Sequence, residues 1–270
     1  MKDWDINIYR GILTGYNEAF IIDGKTKDKL IEKSPKNAEI IRPILRGRDI
    51  KRYGYEFADL WLIYIPWHFP LHKDSFITGA SAKAELEFQK EYPDIYNHLL
   101  KYKKQLSERN KAETGIRYEW YALQRWGANY MDDFYKQKII YPNMTKFMPF
   151  LYDNQSYLTN QKCFIITGEN IAFLTAFLNS SLFKYCFRNN FPELQGGTRE
   201  LSKIFFDPLP VLKVNNHINS IFFYKISEIQ TLRYANKNTK ELEIEIDNMI
   251  FDLYQLHNNE KDEVGFIEIQ

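Results

Sequence analysis

Five basic side chains and one acid lie within twelve positions in RPILRGRDIKRY, residues 42–53. The formal net charge of the 270-residue chain is only +1, so this group is a local concentration. The planar guanidinium group of arginine fits phosphate oxygens and the acceptor edge of guanine. Gly47 is expected to let the backbone turn between two arginines, while Arg42 is expected to turn toward the fold. The predicted DNA-facing residues of this segment are Arg46, Arg48, Lys51 and Arg52. A solvated loop with ion pairs is the alternative.

Two turn-like segments and one lysine are further candidates for DNA contacts. The turn at residues 14–17 can bring a hydroxyl and an amide to one face, or it can be a structural turn that only shapes the first hairpin. The glycine-rich segment at residues 196–199 can bring backbone amides and an arginine to a phosphate, or it can be a helix end followed by a turn. The candidate residues are Thr14, Tyr16, Asn17, Gly196, Gly197, Arg199 and Lys146.

Motifs for catalysis are missing from the sequence. It has no G-x-G, no Pro-Pro, no G-x-S-x-G and no P-loop. The motifs that usually mark methyl transfer, acyl transfer and nucleotide binding are therefore absent. Asp23-Gly24-Lys25 and Pro93-Asp94 resemble two halves of a nuclease motif in the wrong order, and a hairpin turn and a helix start explain them better. His68 and His72 have metal-pair spacing, but nearby prolines disfavour a helix there. We therefore expect no catalytic residue, no metal ligand and no cofactor in this chain.

Composition is typical of a folded protein in a reducing compartment. Hydrophobic residues make up 44% and charged residues 26%, which excludes disordered and collagen-like classes. Two cysteines, Cys163 and Cys186, are too few for a disulfide framework. The sequence has no apolar signal-like segment at its start and no apolar run of membrane-spanning length. We expect a cytoplasmic protein that does not bind membranes.

Hydrophobic periodicity places several strands and helices. We expect strands on either side of Gly15 with a turn at Asp23-Gly24, and helices after Ser81, interrupted at Pro93. The remaining expected elements are strands at 60–66, around 138–143 and at 157–167, one helix at 169–189, an extended or edge segment at 203–212, and two helices after 212 that meet at a turn in 236–239.

Charge divides the chain into two predicted units. Residues 213–270 carry 6 basic and 10 acidic side chains, whereas residues 1–212 carry 30 and 25, so a polyanion should meet the first unit. The predicted fold is α/β (α+β): a mixed, mostly antiparallel sheet region at 1–212, followed by an antiparallel helical pair at 213–270. Because such a pair needs a packing partner, it either packs against this chain or docks a neighbouring domain as a spacer.

An ordered set of strings resembles one known family. It includes the N-terminal GILTGYNEAFIID (11–23), EIIRPILRGRDIKRY (39–53) and WLIYIP (61–66). The later strings are YPDIYNHLLKYKKQLSER (92–109), EWYALQR (119–125), KIIYPNM (138–144), YLTNQKCFII (157–166), AFLNSSLFKYCFR (176–188), GGTRELSKIFFDPLPV (196–211) and IDNMIFDLYQL (246–256). The set resembles the TaqI-like C-terminal specificity domain, or target recognition domain, of type II restriction-modification enzymes and adenine-specific DNA methyltransferases.

The resemblance implies sequence-specific binding of double-stranded DNA. In such enzymes the domain follows an adenine-specific methyltransferase domain, and in some a nuclease domain precedes both. It implies that S-adenosylmethionine, and magnesium where there is a nuclease, are bound by those domains of the parent enzyme. This sequence starts almost at the specificity domain, so we expect the catalytic domains to lie outside it. The alternatives are a protein-interaction module that docks a methyltransferase or defence complex without reading bases, and a fragment with its own nuclease activity at Asp23 and Asp94.

Overall fold

The computed structural model describes residues 1–266, which form both strands and helices. The strands are β1 Ile6–Arg10, β2 Ile21–Asp23, β3 Ile41–Leu45, β4 Ile50–Lys51, β5 Gly54–Tyr55, β6 Leu60–Ile63, β7 Lys138–Pro142, β8 Met144–Thr145, β9 Leu151–Asp153, β10 Leu158–Thr159, β11 Cys163–Gly168 and β12 Arg199–Glu200. The α-helices are α1 Asn17–Phe20, α2 Gly24–Lys33, α3 Ala82–Glu91, α4 Pro93–Leu100, α5 Lys103–Glu108, α6 Ile171–Leu178, α7 Ser181–Asn190, α8 Lys203–Phe206, α9 Asn216–Tyr234, α10 Lys240–Leu253 and α11 Asn258–Val264. Short 3-10 segments are Pro35–Ile40, Gly47–Asp49, Met131–Tyr135 and Gln195–Gly197.

The strands form two four-stranded sheets and two short ribbons. The first sheet has the order β1-β11-β7-β9 and is antiparallel throughout. The second has the order β10-β3-β6-β2, in which only the β10-β3 pair is parallel. The ribbons are β12-β8 and β4-β5. This arrangement confirms the predicted mixed, mostly antiparallel fold of the α/β class with a C-terminal helical pair.

Strands β7, β9 and β11 of the first sheet are largely buried on both faces. Successive side chains of a strand point in opposite directions, so each of these strands contributes to two cores. On β11, Ile165 joins one hydrophobic cluster and Ile166 joins another. The same alternation occurs on β7, where Ile140 and Ile139 belong to different clusters. The sheet therefore separates two cores that share its strands.

The second core contains the helices that follow the first sheet, including the C-terminal pair. α9 packs on α6, and α10 packs on both α7 and α9. Phe222, Ile229 and Ile250 of the pair are fully buried in this cluster together with Phe183. Of the two roles expected for the tail, packing against the rest of this chain is therefore observed. Residues 267–270, the end of the predicted unit 213–270, lie outside the described residues.

Several local expectations need correction. Gly15 is followed by the short helix α1 before β2 begins, and Asp23 starts helix α2 instead of a hairpin turn, since its carboxylate accepts the Thr26 N–H at 2.7 Å. The expected strand at 157–167 is two strands, β10 and β11, and α8 occupies the start of the segment expected to be extended. The expected single helix at 169–189 breaks at Asn179.

The break at Asn179 has a clear physical cause. The buried carboxamide of Asn179 accepts from the Phe150 N–H at 3.2 Å and donates to the Phe150 carbonyl at 2.7 Å. Its side chain therefore satisfies backbone groups of a neighbouring segment, and the next residue, Ser180, caps α7 by accepting the Phe183 N–H at 3.1 Å. The Phe150 backbone thus holds the Asn179 side chain, and the Ser180 cap starts a new helix directly after α6.

Within residues 1–266, none of the helices combines the length and the apolar character that crossing a bilayer requires.

Candidate nucleic-acid interface

An open groove of about 1580 Å³ collects most of the predicted DNA-facing residues. Among residues 1–266, ten lysines and arginines line it against three glutamates, in a chain whose net charge is only +1. The cations are Arg46, Arg48, Lys51, Arg52, Lys146, Lys162, Lys184, Arg188, Arg199 and Arg233. A groove with this excess of positive charge raises the local potential for a polyanion.

The basic loop, residues 46–52, forms one part of the groove. It turns through the 3-10 segment Gly47–Asp49, and Gly47 does not adopt a positive φ. A Cβ at position 47 would lie 3.2 Å from Pro142 Cβ, so glycine allows the loop to pack closely against β7. This close approach differs from the predicted role of Gly47 in turning the chain between two arginines.

Arg46 is bound to the inside of its own loop. Its guanidinium makes a bidentate contact with the buried Asp49, through Nε at 3.0 Å and a terminal nitrogen at 2.9 Å. The hydrogen bonds that its guanidinium donates to Asp49 raise the pKa of Arg46, and the carboxylate also accepts the Arg46 backbone N–H at 2.8 Å. The pair therefore stabilises the loop conformation, and less of the guanidinium remains available to a phosphate.

Arg52 connects the basic loop to the C-terminal helices. Its Nε and a terminal nitrogen donate to the Asn179 carbonyl at 3.0 and 2.8 Å, and its guanidinium forms an ion pair with Glu243 of α10. The Glu243 side chain is fully buried and also accepts from Arg233 at 2.8 Å and from the Thr239 hydroxyl. Burial lowers the pKa of Arg233, and the positive charge of the nearby Arg52 lowers it further. The cluster joins two cations that line the groove to one buried carboxylate behind them.

The other two cations of the basic loop are more accessible. Arg48 is exposed and has no hydrogen-bond or ion-pair partner among residues 1–266. Lys51 pairs with Glu56 at 3.3 Å, but both side chains are well exposed. An exposed pair of this kind contributes little to stability, so Lys51 can exchange Glu56 for a phosphate at small cost.

Three exposed cations from later segments complete the accessible set. Lys146 follows β8, Lys162 precedes β11 and Arg188 lies on α7, and within the described part of the chain none has an ion-pair partner. Lys146 is a predicted site residue, whereas sequence reasoning missed the other two. The polar face of the amphipathic segment FKYCFRNN could have indicated Arg188. Only the pairing of β7 with β11 brings Lys162 beside the Pro142 segment.

The glycine-rich segment contributes to the groove in part. Gly196 and Gly197 adopt positive φ values of 75° and 77°, so the segment needs glycine. Gly197 and Arg199 line the groove, whereas Gly196 does not. The Arg199 guanidinium donates to the Phe191 carbonyl and pairs with Glu193 at 3.1 Å. Arg199 therefore closes the turn, in agreement with the structural alternative, while it remains at the edge of the groove.

The turn at residues 14–17 is mainly structural. Thr14 is buried, and its hydroxyl donates to the Asn17 side-chain oxygen at 2.7 Å. The Tyr16 ring packs against Tyr102 with ring centroids 5.9 Å apart. Only Asn17 of the three predicted residues lines the groove.

The carboxylates and histidines considered for catalysis have local partners outside the groove. Asp23 caps α2, and the Thr26 hydrogen bonds lower its pKa. Asp94 lies 3.7 Å from Lys33, and His68 contacts the buried Glu119 at 3.0 Å. Among residues 1–266 no three histidine, cysteine, aspartate or glutamate side chains lie close enough to hold a metal ion together.

Comparison with known proteins gives one family. The model of the TaqI-like C-terminal specificity domain matches residues 42–211. The type II methyltransferase M.MjaIV of Methanocaldococcus jannaschii is 26% identical over 196 residues, which are 70% of this chain and 57% of that protein.

Two solved structures have a similar fold. The type IIL restriction-modification enzyme MmeI, in complex with DNA, has a TM-score of 0.63 at 12% identity, over 96% of this chain and 34% of that one. The type IIG restriction endonuclease BpuSI has a TM-score of 0.50 at 15% identity, over 92% and 30%. The chain thus spans little more than half of the methyltransferase and about a third of each restriction enzyme.

Proposed function

The chain belongs to the family of TaqI-like C-terminal specificity domains, and we propose that it binds double-stranded DNA sequence-specifically through the basic groove. The observation that carries this proposal is that five of the lining cations, Arg48, Lys51, Lys146, Lys162 and Arg188, are exposed, and that within residues 1–266 all but Lys51 have no ion-pair partner. The accessible cations among them supply affinity and fix the register on the phosphate backbone. Base-edge contacts in the DNA groove then supply discrimination.

The structure suggests a division of work among the predicted residues. Arg48, Lys51 and Lys146, with Lys162 and Arg188, contact DNA, since their side chains are exposed and the four other than Lys51 have no ion-pair partner within residues 1–266. Arg46, Arg52 and Arg199 hold the loops that present these residues, because their guanidinium groups already bind carboxylates or backbone carbonyls. Their own contact with DNA stays a prediction.

The reaction that this recognition would direct is adenine methylation, in some enzymes accompanied by cleavage. M.MjaIV is described as a type II methyltransferase, and this chain matches a little over half of its length. We therefore assign the S-adenosylmethionine site, and magnesium where a nuclease is present, to other domains of the parent enzyme. The target adenine would leave the base stack for the methyltransferase pocket, so this chain would hold a distorted duplex.

Selection from a randomised duplex pool tests the proposal. The 270-residue chain should enrich one short site, and its affinity for that site should fall with salt with a log–log slope of roughly −4, the value for four or five phosphate contacts. Changing a base pair of the site should weaken binding about 10-fold to 100-fold. Binding that is insensitive to both salt and sequence would contradict it.

Docking of a protein partner without base readout is the second candidate function. Large apolar side chains outside the groove favour it, with Phe76 92% exposed and Leu86 and Ile116 also exposed. The same selection separates the two functions, because a docking module gives no enriched site. A nuclease activity of the chain itself is tested by magnesium-dependent cleavage with the Asp23→Ala and Asp94→Ala variants.

A further inference from the structure

The basic groove contains two large apolar side chains that face solvent. Phe147 is 71% exposed and Met144 is 51% exposed, and both line the groove together with Lys146. Exposed aromatic side chains are unfavourable in water. A phenylalanine that projects among cations therefore favours a binding partner with an apolar interior to bury the ring and a negatively charged surface to pair with the cations. Stacked base pairs enclosed by phosphates have these properties.

The segment that carries Phe147, the β8 tip at residues 144–147, is held firmly at its base. The Thr145 hydroxyl donates to the Phe147 carbonyl at 2.9 Å and accepts the Phe147 N–H at 3.0 Å. β8 pairs with β12, and Leu201 N–H donates to the Asn143 carbonyl at 2.8 Å. Buried Met148 and Phe150 anchor the chain directly after the tip. The tip therefore holds Phe147 outward without the entropy cost of ordering a flexible loop on binding.

The charges around the tip favour DNA over an apolar protein surface. Lys146 adjoins Phe147 in the chain, and Arg48, Lys162 and Arg188 line the same groove, all exposed and without an ion-pair partner in the described residues. An apolar protein partner would have to desolvate these charges, whereas a duplex neutralises them with phosphates.

From this arrangement we propose that Phe147, assisted by Met144, is a wedge that inserts into the base stack of the bound duplex and opens one base step. The proposal rests on DNA binding by the groove. Proteins that insert apolar side chains between base pairs unstack the step and kink the helix. Flexible pyrimidine–purine steps would then be preferred at a position where no base edge is contacted.

Paired substrates isolate the wedge from the phosphate contacts. The 270-residue chain is titrated against an intact duplex and against the same duplex with a single abasic site, in which one step is already open. Phe147→Ala should bind the intact duplex roughly tenfold more weakly, the loss of about one stacking contact. The unchanged chain should bind the abasic duplex more tightly than the intact one, because insertion no longer has to unstack bases, whereas Phe147→Ala should not gain in this way. The two proteins should therefore differ more on the abasic duplex than on the intact one. Phe147→Trp should bind both like the unchanged chain.

A fluorescent base reports the opening directly. The unchanged chain should increase the fluorescence of 2-aminopurine placed at the opened step, Phe147→Ala should abolish the increase, and Met144→Ser should reduce it partly. The matched control is Phe76→Ala, which removes a phenylalanine that is more exposed but lies outside the groove, and it should change neither readout.

The failures of the two proposals give different results. If Phe147→Ala binds both duplexes like the unchanged chain, with an intact salt dependence, the wedge is wrong and the groove remains a DNA site. Equal weakening on both duplexes also overturns the wedge, because it indicates a role that does not depend on opening a step. If the unchanged chain shows no salt-dependent binding, both proposals fall.

Discussion

The basic loop and the β8 tip line the same groove, but they keep their charges in different states. In the basic loop, Arg46 and Arg52 have buried carboxylate partners. At the tip, Lys146 is exposed and, within residues 1–266, has no ion-pair partner. The segment with the higher charge density in the sequence is therefore the one whose guanidinium groups are more engaged inside the molecule. A count of cations measures the potential of a surface poorly when the counter-charges lie elsewhere in the chain.

The largest expected effect comes from removing the buried counter-charge of the basic loop. Glu243→Ala leaves Arg52 and Arg233 without their carboxylate, and the free energy of unfolding should fall by about 3–5 kcal/mol. Urea denaturation measures the change. Glu245→Ala is the control, since Glu245 is exposed and its pair with the partly buried Lys225 should be worth at most about 1 kcal/mol. A loss as small as that of the control would show that the arginine cluster does not anchor the loop.

The next effect concerns the exposed cations, which should matter for DNA and not for folding. The triple variant Lys146→Ala, Lys162→Ala and Arg188→Ala should reduce the steepness of the log–log salt dependence by about 3. Its free energy of unfolding should stay within about 0.5 kcal/mol of the unchanged chain. Fluorescence anisotropy at several salt concentrations gives the slope. Lys83→Ala, an exposed lysine outside the groove, should leave the slope as it is.

A smaller effect distinguishes charge from geometry in the basic loop. Arg46→Lys keeps the positive charge but loses the bidentate contact with Asp49, and it should cost about 1 kcal/mol of stability. The salt slope should remain the same, because the formal charge of the groove does not change. Denaturation and anisotropy on one preparation test both statements, and a changed slope would mean that Arg46 itself contacts phosphate.

The smallest effect is a pH dependence that arises away from both segments. Among the described residues no histidine lines the groove. His98, on α4, is partly buried, and its ring contacts the Ala19 carbonyl at 3.0 Å. Burial lowers the pKa of His98 from 6.5, so the fold favours the neutral ring. The stability that the neutral His98 ring contributes is therefore fully present above pH 6.5. It is lost as the pH falls from 6.5 toward the lower pKa that His98 has in the folded protein.

Thermal melts between pH 7.5 and 5.5 measure this effect. His98→Gln can still donate to the Ala19 carbonyl and should flatten the pH dependence of Tm. A pH dependence that persists in His98→Gln would assign it to another group.

The sequence predicted elements well where their hydrophobic pattern is local. The apolar run at 60–66 contains β6, the segment around 138–143 contains β7, and the two C-terminal helices meet at the expected turn. It failed where a side chain acts at a distance. The break at Asn179 depends on hydrogen bonds to Phe150, which no periodicity reports.

The same reason limits the prediction of the site. Most of the predicted DNA-facing residues line one groove. They could be predicted because they belong to basic and glycine-rich segments that charge, composition and the family resemblance identify in the sequence. Asp49, three residues from Arg46, could have indicated the local pair. Glu243 could not have indicated its pair with Arg52, because only the packing of α10 brings the two together. Lys162 is likewise recognisable only once β7 and β11 are paired.

The shared central sheet bears on how specificity could be transplanted between enzymes. Consider a chimera in which residues 1–212 are fused to another catalytic module. Ile139 and Ile166 would then face an incomplete hydrophobic core, because Phe222 and Ile250 of the C-terminal helices would be missing. It would also separate Arg52 from its acid. A recognition domain that can be transferred between enzymes therefore has to include the C-terminal helices, although their net negative charge does not favour contact with DNA.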